Sequence, residues 1–395
     1  MKLWRKRIYA DAAAATPLSR AARRELLRLL ELYGNPSALH DEAVAAKREL
    51  EAARERAAKA IGAHADEIVF TSGGTEGNNL AIFGVLRRLL RVGEDVRAIT
   101  SAVEHASVLE PMRALQKEGL DLVELPVDSR GFVSHKELRE ALTHKTALVS
   151  LQMVNSEVGT VQDIRELAKE IRHARKERLA DALPLHFHTD ASQAPLWLPL
   201  GADRLGIDFM TLDAQKMLGP KGAGLLYARR GTRLEPHIYG GGQERGYRSG
   251  TENVALAGSL AAALEEAQTG VKERAERVSA ARDYFFDAMH RTLPKARIHG
   301  PQGPARVANN ANISIPGLDG DMAVVALNAQ GIAASVRSAC DTDDESPSHV
   351  LKAIGVPVWE AKQAIRLTFL PDVSRGEARR IAGTLARIAA RYRHR

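Results

Sequence analysis

At 395 residues, with 45% hydrophobic and 27% charged positions, the chain exceeds one typical domain and has a globular balance; that excludes a disordered protein. No apolar run approaches the roughly 20 residues that cross a bilayer. The formal net charge of +7 invites a nucleic-acid partner, but Lys and Arg alternate with Glu in stretches such as KRELEAARERAAKA, as on a solvated helix face, and aromatics at 5% are too sparse for base stacking. A single cysteine, Cys340, excludes an intramolecular disulfide and a cysteine-cluster metal site. The basic start, MKLWRKRIYADAAAATP, has neither the apolar stretch nor the small-residue cleavage site of a signal peptide. A cytoplasmic protein is expected.

Along the chain, Thr16-Pro17 reads as a helix N-cap followed by proline at the first helical position, with the helix closing at Gly34-Asn35. A second amphipathic stretch runs from about Leu39 to Ile61 and stops at Gly62. Strand and helix patterns then alternate: EIVFT (67–71), a helix from Thr75, VRAITSA (96–102), a helix from about Ser107 and DLVELP (121–126). They continue with TALVSL (146–151), a helix near 163–180, LHFHTD (185–190), DFMTL (208–212) and GAGLLYA (222–228). Short β-rich segments separated by helices predict an α/β domain with a mostly parallel sheet. HIYGGGQERGYRSGT (237–251) reads as a glycine-rich loop. A long helical pattern from about Glu252 to Leu293 then leads to a smaller α+β lobe with ANISIPG (311–317), MAVVALNAQG (322–331), AIRLTFL (364–370) and a final Arg/Ala-rich helix. The division expected is a large domain over 15–260 and a small one from 1–14 and 261–395.

Four places could carry chemistry. SGGTEGNN (72–79) leaves a strand and opens a helix, where glycines let backbone N–H groups approach an anion; an ordinary connection has the same pattern. Asp190 ends a strand, where a carboxylate can keep a pyridinium nitrogen protonated or simply cap a helix. Lys216 lies between a strand and a Gly-Pro turn; a lysine there can form an imine with a carbonyl or lie on the surface. Cys340 sits among small polar residues, so it reads as a loop thiol and not as core. Arg337 favours its thiolate, whereas the acidic run Asp341, Asp343, Asp344 and Glu345 opposes it.

Taken in order, the motifs resemble the group I cysteine desulfurases of the class-V aminotransferase group, which are fold type I enzymes using pyridoxal phosphate. The likeness runs through YADAAAATP (9–17), GNPSALH (34–40), EIVFTSGGTEGNNLAI (67–82), VEHASVL (103–109) and MVNSEVGTVQDI (153–164). It continues through HTDASQ (188–193), QKMLGPKGAGLLY (215–227), GGGQERGYRSGT (240–251), RSAC (337–340) and PSHVL (347–351). The resemblance implies a fold type I transferase: a large domain with a mostly parallel mixed sheet and a smaller α+β domain bearing the cysteine loop. It implies that Lys216 carries the cofactor covalently and shuttles the substrate α-proton, and that Asp190 pairs with the ring nitrogen. His105 would stack on the ring and assist proton transfer, with Gln193 and Asn155 near the phenolic oxygen and Gly74, Thr75 and Gln215 on the phosphate. Thr251 would reach the phosphate of a second copy, making a homodimer with shared sites. Arg366, helped by Asn35, would bind the carboxylate of L-cysteine. Cys340 would take its sulfur as a persulfide and hand it to an acceptor protein, such as an iron–sulfur scaffold or a tRNA-thiolation enzyme. No membrane and no direct nucleic-acid contact are expected.

Two departures stand out. Relatives place Ser-x-His before the Schiff-base lysine, both serving the phosphate; Asp213 and Gln215 stand there instead. A carboxylate beside a phosphate is repulsive, so Asp213 is expected to turn away or to pair with Arg245 or Arg248. The acidic run after Cys340 is read mainly as solvating the loop, with selection of a basic acceptor as the alternative. Competing readings are a selenocysteine lyase or transaminase of the same fold, and a relative without cofactor that serves as a sulfur-relay scaffold.

Overall fold

Residues 7–179, 182–336 and 347–392 are described by the computed structural model; Arg337 and Cys340 lie outside the described residues. The chain opens with β1 (Ile8–Tyr9) and helices α1 (Arg20–Leu29) and α2 (Asp41–Ala60). A seven-stranded sheet follows, of β2 (Ile68–Thr71), β3 (Arg97–Ser101), β4 (Asp121–Leu125), β5 (Thr146–Ser150), β6 (His186–Asp190), β7 (Phe209–Asp213) and β8 (Gly224–Ala228). Its order is β2-β8-β7-β6-β5-β3-β4. Neighbours from β7 to β4 are parallel, and β8 is antiparallel to both its neighbours, so β2 again runs with the parallel group. Every residue of β2, β5, β7 and β8 is buried, the pattern of strands covered on both faces. The mostly parallel mixed sheet is as expected.

One apolar cluster extends from Met210 and Leu225 of this sheet to Ile313 and Leu385 of the smaller lobe, and a second, with Val69, Leu80, Met112 and Phe209, fills the sheet's other face. The smaller lobe has β9 (Arg297–Ile298), β10 (Asn310–Ser314) and β12 (Ala364–Thr368) in the antiparallel order β12-β10-β9, while β11 (Ile332–Ala333) pairs in parallel with β1.

Local chemistry moves two of the expected boundaries. Thr16 does not cap α1, because its hydroxyl donates to the Gln215 carbonyl at 2.8 Å and accepts from the Leu218 N–H at 2.8 Å; Ser19 caps the helix instead. The long pattern after Glu252 is two helices, Val254–Gln268 and Val271–Thr292, broken at Gly270 with φ 60°. The first packs on α1 and α2, the second on the last helix, Arg375–Tyr392. The change of packing partner thus falls at Gly270. A helix at His135–Ala141 carries too short an apolar pattern to register in sequence.

The glycine-rich loop is pinned from below. Buried Arg54 donates from both terminal nitrogens to buried Glu244, at 2.7 and 2.8 Å, and from Nη1 to the Ile68 carbonyl at 2.9 Å. Glu244 also accepts the Phe70 N–H at 2.8 Å, tying the loop to β2. The clamp holds Glu244 and Arg245 at φ 47° and 58°, a region that side-chain-bearing residues enter at a cost. Breaking a buried pair strands the remaining charge. Glu244→Ala is expected to lower the unfolding free energy by about 3 to 5 kcal/mol in a urea titration; a loss under about 1 kcal/mol, the scale of an exposed pair, would contradict the clamp.

Candidate active site

Strands β2, β3, β5, β6 and β7 end at one edge of the sheet, where the connections after them line a cavity of about 170 Å³. This is where the open side of a parallel sheet offers a ligand site. Gly74, Thr75, His105, Asp190, Gln193, Asp213, Gln215, Lys216 and Arg366 all line it. The arginine arrives from β12 of the smaller lobe, so the cavity lies between the lobes. Nine positions expected from sequence therefore meet in one space.

Helix α3 (Gly74–Arg91) begins at the cavity after Gly73, which has φ 153° and no side chain to cap the helix. A Cβ on Gly77 would come within 2.8 Å of Thr211 Cγ2, so glycine lets α3 lie close on β7. The uncapped first turn leaves N–H groups for an anion. Beside them is the Ser192 hydroxyl, buried and without a hydrogen-bond partner among the described residues.

Asp190 ends β6 and is held from two sides: Oδ1 accepts the Ser192 N–H at 2.9 Å and Oδ2 accepts Asn78 Nδ2 at 2.8 Å. Asn78, fully buried, gives its other amide hydrogen to Ser107 Oγ at 2.8 Å, and that hydroxyl lies 2.8 Å from His105 Nδ1. The Ser107 backbone N–H also points at Nδ1, 3.1 Å away, which makes Nδ1 an acceptor and puts the ring proton on Nε2. His105 is at once the N-cap of α4 (Ala106–Lys117) and part of the cavity wall.

Two buried groups near Asp190 stay neutral. Burial pushes His188 down to about 4, against the opposing pull of Asp190; its ring nitrogens meet Ser150 Oγ and Thr211 Oγ1. Burial also pushes the Glu104 carboxyl up to about 8; hydrogen bonds from Ser101 Oγ and the Gln152 N–H hold it down only in part. Between about pH 4 and pH 8 neither adds charge beside Asp190.

Lys216 stands on a single tight turn, Ala214–Lys216, directly after β7, and its amine donates to the Ala13 and Ala14 carbonyls at 2.9 and 2.6 Å. Asp213 caps this turn: Oδ1 accepts the Gln215 N–H at 3.1 Å and Oδ2 accepts Gln215 Nε2 at 3.2 Å. The expected pairing with an arginine is not made. Arg248 donates to Glu76, and Arg245 donates to the carbonyls of Ala65, Asp66 and Ile68. Nor is Asp213 turned away, since Oδ2 would lie 3.4 Å from a Cβ placed on Gly74.

Three expected positions lie off the lining. Buried Asn155 spends its amide on the Val103 carbonyl and on the N–H groups of Glu157 and Val158. Asn35 is exposed and closes its own turn by accepting the Ser37 N–H at 3.0 Å. Thr251 is exposed at the end of the glycine-rich loop. Sequence reading missed Asn78, Ser107, Ser192, Gln152 and Glu104. Only Asn78 had a signal, standing one helical turn after Gly74 on the same face.

The donor set fits pyridoxal phosphate. The uncapped α3 turn and the Ser192 hydroxyl suit a phosphate, Asp190 and Lys216 suit the ring and its aldehyde, and Arg366 Nε is buried without a partner among the described residues, as a site for a carboxylate would leave it. Asp213, beside the start of α3, is of the wrong sign for an anion there.

The aminotransferase class-V family model matches residues 8–380. The chain is 41% identical to the cysteine desulfurase IscS of Dictyoglomus turgidum over 92% of its length and 90% of the relative's, and 37% identical to the IscS of Methanosarcina thermophila, covering 92% and 87%. Among solved structures, a NifS-like protein superposes with a TM-score of 0.89 at 32% identity, covering 97% of this chain and 99% of that one. A structure titled SspA in complex with cysteine superposes with a TM-score of 0.79 at 31% identity, covering 92% and 99%.

Asp213→Asn keeps the turn cap and removes the charge, so it is expected to tighten pyridoxal phosphate binding by about tenfold or more in equilibrium dialysis; unchanged affinity would show that the carboxylate does not face the phosphate. Glu104 gives a pH test. The folded protein keeps a proton there that the unfolded chain releases near the ordinary value of 4.5, so stability should fall as pH rises from about 4.5 to about 8 and level off above. Glu104→Gln removes this contribution, and its gain in melting temperature over wild type should widen across that window. A difference flat with pH would contradict the buried neutral acid.

Proposed function

The chain belongs to the class-V aminotransferase family and is a pyridoxal-phosphate-dependent cysteine desulfurase, and from that premise we propose how its own residues divide the work. The observation that carries the reading is the meeting of Lys216, Asp190, His105 and Arg366 around one cavity. Bound there, the cofactor supplies an electron-withdrawing ring that stabilises negative charge at the substrate α-carbon.

Lys216 anchors the cofactor and moves the α-proton, and the Ala13 and Ala14 carbonyls aim its amine. Asp190, fixed by Asn78 and the Ser192 N–H, faces the ring nitrogen and keeps it protonated. His105 packs on the ring face with Nε2–H available, Gln193 serves the phenolic oxygen, and Gly74, Thr75, Ser192 and Gln215 hold the phosphate. Arg366 binds the carboxylate of L-cysteine through its fork. Asn155 and Asn35 stand off the cavity lining, the amide oxygen of each accepting from backbone N–H groups.

Cys340 is the sulfur acceptor. Its thiolate attacks the substrate sulfur, the carbon–sulfur electron pair stays with Cβ and takes a proton, and L-alanine leaves behind a persulfide on the enzyme. Its place as the chain's one cysteine and the relatives' names support this. The terminal sulfur then passes to a thiol of an acceptor protein. A reduced catalytic thiol suits a cytoplasmic setting. The exposed position of Thr251, off its own cavity, supports a homodimer in which it serves the second copy's phosphate.

The test is alanine release from L-cysteine. Wild type is expected to form alanine with a matching yield of protein-bound or released sulfur. Cys340→Ser is expected to lose alanine formation by about a hundredfold or more while keeping the cofactor's visible absorbance. Alanine formation undiminished in that variant would remove Cys340 from the reaction.

A further inference from the structure

Arg366 is 1% exposed, and its guanidinium cannot be left uncompensated in such a place. Among the described residues its one side-chain hydrogen bond runs from Nη2 to Asp11 Oδ1, at 3.0 Å, while Nε is buried with no partner. Its backbone is fixed as well: Arg366 exchanges N–H and carbonyl with Ser335 and pairs across the sheet with Asn312.

Asp11 reaches this arginine from a different element. It follows β1 and bridges to Thr368, two residues beyond Arg366 on β12. The chain then runs on into the cavity wall. Ala12 and Ala13 donate to the Thr368 carbonyl and hydroxyl, and the Ala13 and Ala14 carbonyls receive the Lys216 amine. The Ala13 carbonyl also accepts Gln193 Nε2 at 3.0 Å, and the Thr16 N–H donates to the Gln215 carbonyl. Four consecutive residues thus connect the arginine's carboxylate partner to the carbonyls that hold the lysine.

We propose that Asp11 is a positioning residue for the desulfurase reaction: its carboxylate grips one end of the Arg366 fork so that the unpartnered Nε edge stays presented to the carboxylate of the incoming substrate. The inference rests on the reading of Arg366 as the carboxylate-binding group. A rotatable buried arginine would satisfy itself against nearby carbonyls. One held by Nη2 keeps its remaining donors for the ligand. The fork binds a carboxylate well only when two parallel N–H groups face it, so fixing its rotation sets affinity. Asp11 acts through Arg366 and touches no reacting atom.

Steady-state kinetics with L-cysteine on the holoenzyme test this, with the cofactor absorbance of each variant recorded. Asp11→Ala is expected to raise KM by about tenfold or more and to change kcat by less than about threefold, at unaltered absorbance. Asp11→Asn, which keeps an oxygen to accept from Nη2, is expected to restore KM to within about threefold of wild type. Arg366→Lys should raise KM at least as far as Asp11→Ala. An unchanged KM in Asp11→Ala, with Arg366→Lys impaired, overturns the role of Asp11 and leaves the carboxylate reading intact. An unchanged KM in Arg366→Lys overturns that reading itself. Equal damage in Asp11→Ala and Asp11→Asn, or loss of cofactor absorbance in Asp11→Ala, replaces alignment by charge compensation or by folding and also overturns the proposal.

Discussion

A single buried amide organises the site. Asn78 has two hydrogens to give, and it gives one to Asp190 and one to Ser107. The first fixes the carboxylate at the end of β6; the second fixes the hydroxyl that orients His105 at the start of α4. Because Asn78 is fully buried, no water can substitute for either partner, and each lost bond would strand a polar group at about 1 to 3 kcal/mol. The residue proposed for the ring nitrogen and the one proposed for the ring face are therefore set by one side chain on α3, the helix whose first turn is proposed to hold the phosphate.

The second constraint is topological. Five strand ends deliver their following turns to one edge because β7 to β4 are parallel and β2 recovers their direction through antiparallel β8. Charge follows the same logic. His188 and Glu104 are buried deeply enough to stay neutral, which leaves the field around the ring end to Asp190. At the end proposed for the phosphate the chain trades ideal electrostatics for geometry: Asp213 caps the turn that carries Lys216 while placing its carboxylate beside the start of α3, the proposed anion site. The turn that presents the amine and the cradle proposed for the phosphate thus compete for one side chain.

Much of this was legible in the sequence. Alternating apolar runs and helices gave the strands and the parallel sheet, and colinear motifs gave nine residues of the cavity wall. What stayed hidden depends on contacts distant in the chain. Thr16 looks like a cap until its hydroxyl is seen clipping Gln215 and Leu218, some two hundred residues on. Asn155 looks like a ligand-binding amide until its oxygen is seen closing its own turn and its nitrogen reaching the Val103 carbonyl. Asp11 and Glu104 carry no local signal at all, since their roles arise from Arg366 and Gln152 on other elements.

The central claim is that the amine of Lys216 is the point at which the cofactor joins this protein. Reducing the holoenzyme with borohydride and mapping the labelled peptide by mass spectrometry tests it most directly. A pyridoxyl group on Lys216 alone is expected. A label on Lys221 or any other lysine, or none with the cofactor demonstrably bound, would contradict it.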